Sequence, residues 1–259
     1  MIRSALGAGP ARIALSLSGV AALVALWSLG LAASPHTLLP GPWAVVKAIA
    51  GLAASGLLVH HVVASLFRVT WGYLAAVAVA LPAGLLLGTY RRPELAFGPF
   101  LELARPISPL AWIPLSILWL GVGDLAALAI IFFASFLPLV LTVKNAVGRV
   151  PLVHLQAGRN FGLAPGELAR RILLPAILPQ VLVGLRLSLG VAWLVVVAAE
   201  MLAVNSGLGF LIIDARNAGN RYDLVVAGMV LIGGVGLALD TAILRLGRLP
   251  AFAWGASER

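Results

Sequence analysis

Ile13–Ala33 is a run of twenty-one residues without a charge, and comparable runs recur at Val69–Thr89, Pro106–Gly123 and Leu125–Val143. Two more follow: Val181–Val204, apolar apart from Arg186 and Glu200, and Leu224–Leu239, which continues through Asp240. The roughly 30 Å core of a bilayer takes about 20 apolar residues as a helix. Backbone groups in hydrocarbon must be satisfied within the segment, so each run is expected to be helical. The expected fold class is therefore an all-α polytopic membrane protein with about six transmembrane helices. Composition closes off the soluble alternative. The chain is 61% hydrophobic and 10% charged, against about a quarter charged in a soluble domain. It has no cysteine, which excludes disulfides and thiolate metal sites. The first run is longer than a signal-peptide core and has no clear small-residue cleavage site, so it is expected to be retained.

The net charge of +9 would suggest nucleic acid in a soluble protein, but here its distribution matters first. With a cytoplasmic N-terminus, the inner segments hold Arg3, Arg12, Arg91, Arg92, Arg105, Lys144, Arg149, Arg159, Arg170, Arg171, Arg245, Arg248 and Arg259. The outer segments hold only Lys47, Arg216 and Arg221. That positive-inside bias places both termini in the cytoplasm of a multi-pass membrane protein. It makes the basic balance a matter of topology and gives no reason to invoke nucleic acid. On the outer side, Val45–Leu58 is expected to lie in the interface with Trp43 at headgroup level. Asn205–Asp223 is expected to fold back as a short re-entrant or surface helix.

In this topology 144–180 is the longest cytoplasmic segment, and long loops in compact domains are usually functional. Its punctuation predicts helix, break, helix. Pro151–Phe161 can form a short helix with Gly162 as its C-cap glycine. Pro165 suits the first turn of a second helix, with Glu167 near its N-terminus. Arg170 and Arg171 then fall in the last turn, and Pro175 ends or kinks the helix. Leu168, Ile172 and Leu173 share an apolar face. The residues alone leave two roles open: a hairpin on the membrane surface touching lipid phosphate, or a docking site for another protein.

The same segment resembles a family. Permeases of ABC importers carry a cytoplasmic Glu-Ala-Ala motif, then three residues, Gly, nine residues, Ile, one residue and Leu-Pro. This chain has Gln156-Ala157-Gly158, Gly162, Ile172 and Leu174-Pro175 in that spacing. RPISPLAWIPLSILWLGVGD (105–124), LPAILPQVLVGLRLSLGVAWLVVVAAEML (174–202), NSGLGFLIIDARN (205–217) and Trp254 are similar to permeases of the nitrate, sulfonate and taurine type. PISPLAW leans towards the nitrate-like end. The resemblance covers roughly 35–254 and implies the type I ABC importer permease fold, with 144–180 as a coupling-helix hairpin. The domain division follows: 1–34 as N-terminal segment and first span, 35–254 as the permease domain, 255–259 as tail.

The resemblance further implies an ATPase-docking set of Gln156, Ala157, Gly158, Gly162, Glu167, Arg170, Arg171, Ile172, Leu174 and Pro175. It implies separate ABC ATPase subunits that hold the ATP and Mg, an external solute-binding protein, a second permease copy forming a homodimer unless a second permease gene accompanies it, and a bacterial-type inner membrane. The solute would be a small anion or zwitterion. Two positions depart from the pattern: Gln156 stands for the usual Glu, and Gly158 for the second Ala. Gly158 lowers helix propensity, and Ala164 cannot serve Glu167 as capping-box partner. The chain has no GxxxxGK[ST] phosphate loop and only two lysines, Lys47 and Lys144, so no ATP site or other cofactor is expected within it, and it is not expected to be an enzyme itself.

Charges inside spans default to functional hypotheses. Arg186 and Asp240 fall at similar depth and are expected either to pair or to snorkel separately. Glu200, near the outer end, is expected to be a gate or an acceptor for backbone groups of the 205–223 segment. Pro106, Pro109 and Pro114 interrupt the third run, which makes Ser108, Trp112 and Ser116 pathway candidates. Gly84 and Gly88 form a GxxxG pattern suited to close packing. Arg68 reads as an interfacial arginine, and the adjacent His60 and His61 make a poor metal pair, so no metal is assigned. The rival classes are a self-sufficient channel or ion-coupled secondary transporter, and an intramembrane enzyme, for which no catalytic constellation is visible.

Overall fold

The computed structural model describes residues 10–33 and 38–246. Arg3, Arg248, Trp254 and the 255–259 tail lie outside the described residues, as does the side chain of Arg12. Every regular element among the described residues is a helix. In chain order these are α1 (Pro10–Ala33), α2 (Pro42–Ala54), α3 (Leu57–Thr89), α4 (Arg91–Ala104), a 3-10 turn (Pro109–Trp112), α5 (Ile113–Leu120), α6 (Asp124–Gly148), α7 (Leu152–Asn160), α8 (Pro165–Leu168), a π turn (Ala169–Leu173), α9 (Leu174–Ala203), α10 (Leu208–Asn217) and α11 (Tyr222–Leu246).

The chain divides into two compact units: Met1–Val59 with Leu211–Val230, and His60–Phe210 with Leu231–Arg259. In the first, α2 opens with Pro42 in its first turn, where the missing N–H costs nothing. Val45, Ala48 and Leu52 recur on one face and are buried. Val45 and Ala48 pack with Ala227, Trp27 and Leu224. Trp43 stays exposed, with the Lys47 ammonium 5.7 Å from its ring centroid. Thus the expected interfacial stretch is the helix α2 followed by the start of α3.

The second unit is organised around α6, where Ala126, Ala127, Ile130, Ile131, Leu139, Val140 and Val143 are almost completely buried. Lipid tails are as apolar as leucine, so burial of apolar surface gives no drive for helices to associate in a membrane; close packing does. The glycines supply it. A Cβ on Gly84 would stand 2.6 Å from Val143 Cβ, one on Gly88 2.6 Å from Val147 Cβ, and one on Gly72 2.8 Å from Ile131 Cγ2. The GxxxG pattern is therefore the α3 side of the α3–α6 contact. On the other flank Gly184 of α9 admits Thr142, whose Cγ2 lies 2.7 Å from a built Cβ.

Among the described residues four helices are long and apolar enough to cross a bilayer, Leu57–Thr89, Asp124–Gly148, Pro165–Ala203 and Tyr222–Arg245, or five if the bent pair Arg91–Ala104 and Pro109–Leu120 counts as one span. The first expected span falls in the 24-residue α1, whose apolar part Ser18–Ala32 ranks with the shorter apolar helices. The third requires correction. Pro106–Gly123 is not one helix: only Ile113–Leu120 is α-helical. Arg91–Ala104 and Pro109–Leu120 form a pair bent by 94°. The cause is local. Prolines at 106, 109 and 114 remove three backbone donors within nine residues, and residues preceding proline are pushed out of the helical region; Ser108, before Pro109, is extended at φ −60°, ψ 130°.

Candidate functional site

The 152–175 hairpin is closed by α7, a glycine turn and α8. Leu163 N–H donates to Gly158 O at 3.1 Å and Gly162 N–H to Arg159 O at 2.9 Å. This is the two-bond Schellman closure, which needs a left-handed residue at its centre. Gly162 supplies it at φ +81°. Gly158, the departure from the expected Ala, is the buried residue of α7. A Cβ there would stand 2.5 Å from Ile172 Cδ1 and 2.6 Å from Leu168 Cδ1. The loss of helix propensity is thus the condition for the two arms to meet. Ala164 has no side-chain acceptor, so only half a capping box forms: Ala164 N–H donates to Glu167 Oε2 at 3.4 Å.

Two expectations for the second arm are corrected. Pro175 neither ends nor sharply kinks it, because Pro165–Ala203 runs on as one apolar helix. The π turn at Ala169–Leu173 precedes Pro175, which sits in the first turn of α9, where its missing N–H is tolerated. Arg170 and Arg171 consequently lie within this turn and not at a helix end, so the dipole argument for them lapses. Arg171 pairs with Glu167 at 3.2 Å. Of the expected docking residues, Gly158 and Ile172 face each other inside the hairpin. Gln156, Ala157, Glu167, Arg170, Arg171, Leu174 and Pro175 are exposed. So are Leu152, Val153 and Phe161, the last at 87%.

A second constellation sits at the other end of α9. Glu200 is fully buried. Its Oε1 accepts from Arg68 Nη1 at 2.9 Å, and its Oε2 from Ser65 Oγ and Gly209 N–H, each at 2.9 Å. Arg68, 4% exposed, also donates to Asp124 Oδ1 at 2.7 Å, Ser206 O at 2.8 Å and Ser206 Oγ at 2.6 Å. Leu208 N–H donates to Ser65 Oγ at 2.9 Å and Gly207 N–H to His61 Nδ1 at 3.1 Å. Three successive N–H groups at the start of α10, which the helix itself cannot satisfy, are thereby capped by His61, Ser65 and Glu200, and the carboxylate also suits the positive end of the helix. Gly207, at φ +107°, is obligatory: a Cβ would run into the Glu200 carboxylate.

Of the two roles held open for Glu200, the geometry is that of an acceptor for the 205–223 segment. Arg68 is the correction, a buried hub where an interfacial arginine was expected. The signal was present. His61, Ser65 and Arg68 recur at i, i+4 and i+7, one polar stripe on an otherwise apolar helix.

Arg186 and Asp240 form a bidentate pair, Nε–Oδ1 2.6 Å and Nη2–Oδ2 2.8 Å, with both side chains partly exposed. Two turns along α9, Trp193 Nε1–H donates to Ile232 O at 3.1 Å and lies where a Cβ on Gly236 would fall. Ile232, Gly236 and Asp240 recur every four residues, so α9 and this part of α11 meet along one face. The expected pathway residues scatter. Trp112 stacks on Phe133 at 5.6 Å, Ser116 is buried and Ser108 is exposed. A cavity of about 370 Å³ beside them is lined by Arg105, Ile107, Pro109, Phe133 and Asn145 among others. Among the described residues no group of three His, Asp or Glu side chains is placed to hold a metal.

Residues 80–248, from the last third of α3 through the hairpin and α11, match the family described as binding-protein-dependent transport system inner membrane component. The chain belongs to that family. An ABC transporter permease protein of Methanocaldococcus jannaschii is 37% identical over 237 residues, covering 89% of this chain and 88% of the relative. The taurine transport system permease protein of Escherichia coli is 31% identical over 246 residues, 92% and 88% of the two chains. Among solved structures, the MetNI methionine ABC transporter in an inward-facing form matches with a TM-score of 0.63 at 21% identity, over 71% of this chain and 91% of that one. The permease thus has the helical fold of an ABC importer's membrane component.

Proposed function

We propose that this permease subunit carries a small anion or zwitterion across a bacterial-type inner membrane, driven by a separate ATPase that docks on the 152–175 hairpin. The observation that carries the reading is mechanical. The hairpin is locked by the Schellman closure and by Gly158 against Leu168 and Ile172. It presents Leu152, Val153 and Phe161 to the outside and continues without interruption into α9. A push on α7 is therefore delivered to a membrane-crossing helix. Exposed aromatic and aliphatic side chains on a polar hairpin favour a protein partner over a lipid surface for that face.

ATP and Mg belong to the partner subunit. The external binding protein, a second copy of the permease and cytoplasmic termini complete the arrangement, with 35–254 as the working transmembrane domain. The pathway is assigned to the cavity beside the broken segment, lined by Ile107, Pro109 and Phe133, with Trp112 reaching it only through its stack on Phe133, since non-helical backbone at membrane depth needs protein or water around it. Arg186 and Asp240 hold α9 to α11 during the movement. The taurine relative points to a sulfonate-like solute. Uptake of labelled taurine and nitrate into proteoliposomes, with binding protein outside and ATPase inside, tests the reading. ATP-dependent uptake of either that competes with unlabelled solute is expected. Uptake of neither, despite ATP hydrolysis, would refute the solute class.

A further inference from the structure

The cavity at the bend after α4 has a volume of about 370 Å³, at the small end of the range for small-molecule sites. Three elements wall it: the last turn of α4 with the chain to Pro109, one face of α6, and Val191 of α9. On α6 the lining positions Ala134, Pro138, Thr142 and Asn145 recur at intervals of three and four, as one helix face must. Phe133, Leu137 and Leu141 give the cavity its apolar side. Its polar groups are few and poorly satisfied. Arg105 Nη1 and Glu102 Oε2, one turn apart on the chain, stand 3.8 Å from each other, too far for a hydrogen bond, and both side chains are more than half exposed. The Asn145 amide has no hydrogen-bond partner among the described residues. Pro138 has no N–H, so the Ala134 carbonyl lacks its donor four residues on. Lys144, next along α6, is engaged by Glu94 at 3.2 Å and does not line the cavity.

We infer that this cavity is the permease's own solute site and that it selects a short zwitterion, the anionic group lying between the Arg105 guanidinium and the Asn145 amide and the cationic group on the Glu102 carboxylate. The inference rests on the reading of this chain as a conductor of a small anion or zwitterion, and narrows it. Arg105 and Glu102 together carry no net charge, so a bare anion drawn to the guanidinium meets a carboxylate beside it. A molecule with both charges a few bonds apart answers both groups. It replaces one long, solvated ion pair, which is worth little, by two contacts inside a cavity. The guanidinium offers paired N–H donors to two oxygens of one anionic group, and the carbon chain between the charges lies against Phe133 and Leu137. An inorganic anion would leave that apolar side without a partner. Val191 belongs to α9, which runs on from the hairpin without interruption, so movement of the hairpin moves one wall of this cavity.

The test is equilibrium dialysis of the full chain, purified in mild detergent, against labelled taurine and labelled ethanesulfonate, which differ by one ammonium group. The wild type is expected to bind taurine about fivefold more tightly. Glu102→Gln should abolish that preference while keeping ethanesulfonate binding. Arg105→Gln should weaken both ligands about tenfold or more, and Arg105→Lys should fall between it and the wild type. An unchanged tryptophan melt shows that each variant is folded. Equal binding of the two ligands by the wild type would overturn the choice of a zwitterion. A preference that survives Glu102→Gln, or a wild type that binds neither ligand, would overturn the site. Uptake by the assembled importer is read separately: ATP-dependent uptake of nitrate alongside any of these failures leaves transport of a small anion standing and sinks only the inference.

Discussion

Replacing Glu200 by Gln tests the buried cluster at its centre. The shape of the side chain is kept and one charge is removed. In the wild type Glu200 accepts from Arg68, Ser65 and Gly209 N–H, all at 2.9 Å, in a site with no solvent exposure. Glutamine keeps one acceptor oxygen and offers an amide that cannot accept. It therefore loses at least one charge-assisted bond, each worth about 1.5–3 kcal/mol, and leaves Arg68 buried with only the partly exposed Asp124 as counter-charge. Breaking a buried pair from one side costs about 3–5 kcal/mol. At about 2–4 °C per kcal/mol for a chain of this size, the melting temperature in detergent should fall by roughly 6–20 °C. Asp124→Asn, cut from the exposed arm of the same arginine, should cost about 1 kcal/mol or less. Arg68→Met combined with Glu200→Gln should recover part of the loss, because neither charge is then stranded. Intrinsic tryptophan fluorescence on heating reports all four proteins. A Glu200→Gln melt no lower than that of Asp124→Asn would refute the idea that the buried arm carries the stability.

Exchanging the partners in Arg186→Asp with Asp240→Arg should restore transport that either single reversal abolishes; failure of the exchange would mean that each residue acts alone. Gly84→Val should destabilise the protein by about 1–3 kcal/mol through overpacking on Val143, whereas Gly190→Ala, with nothing within 4 Å of a built Cβ, should leave the melt unchanged. Gly162→Ala should cost about 1–2 kcal/mol through its left-handed backbone alone, and Gly158→Val should open the hairpin through contact with Leu168 and Ile172. Limited proteolysis of the 152–175 region reads both, and the two should differ in that only Gly158→Val exposes Leu168 and Ile172 to cleavage.

The uncharged runs located the long helices because bilayer thickness fixes a length, and that length is visible in sequence. The hairpin was legible for the same kind of reason: Gly162 and Pro165 each impose a local backbone geometry. What sequence spacing could not supply was the partner of each unusual residue. Gly158 looked like a defect until Ile172 and Leu168 were seen to occupy the space of its missing Cβ. Arg68 lies 132 residues from Glu200, and no periodicity links positions so far apart. Pro175 misled because a π turn absorbs a proline that would break a strict α-helix. In the third run length and hydropathy point to a span and three prolines point against it; the 94° bend shows that three lost donors in nine residues decide the geometry.

The central claim is that another protein's ATP cycle reaches these helices through the hairpin. Its most direct test is to purify the chain from native membranes in mild detergent and look for an ATP-hydrolysing subunit, in the wild type and in Phe161→Asp. Phe161 is 87% exposed, so the substitution alters the surface and spares the fold. A subunit that accompanies the wild type and is lost from the variant is the predicted result. A wild type that comes away alone, yet moves solute on an ion gradient, would contradict the account and leave a self-sufficient transporter in its place.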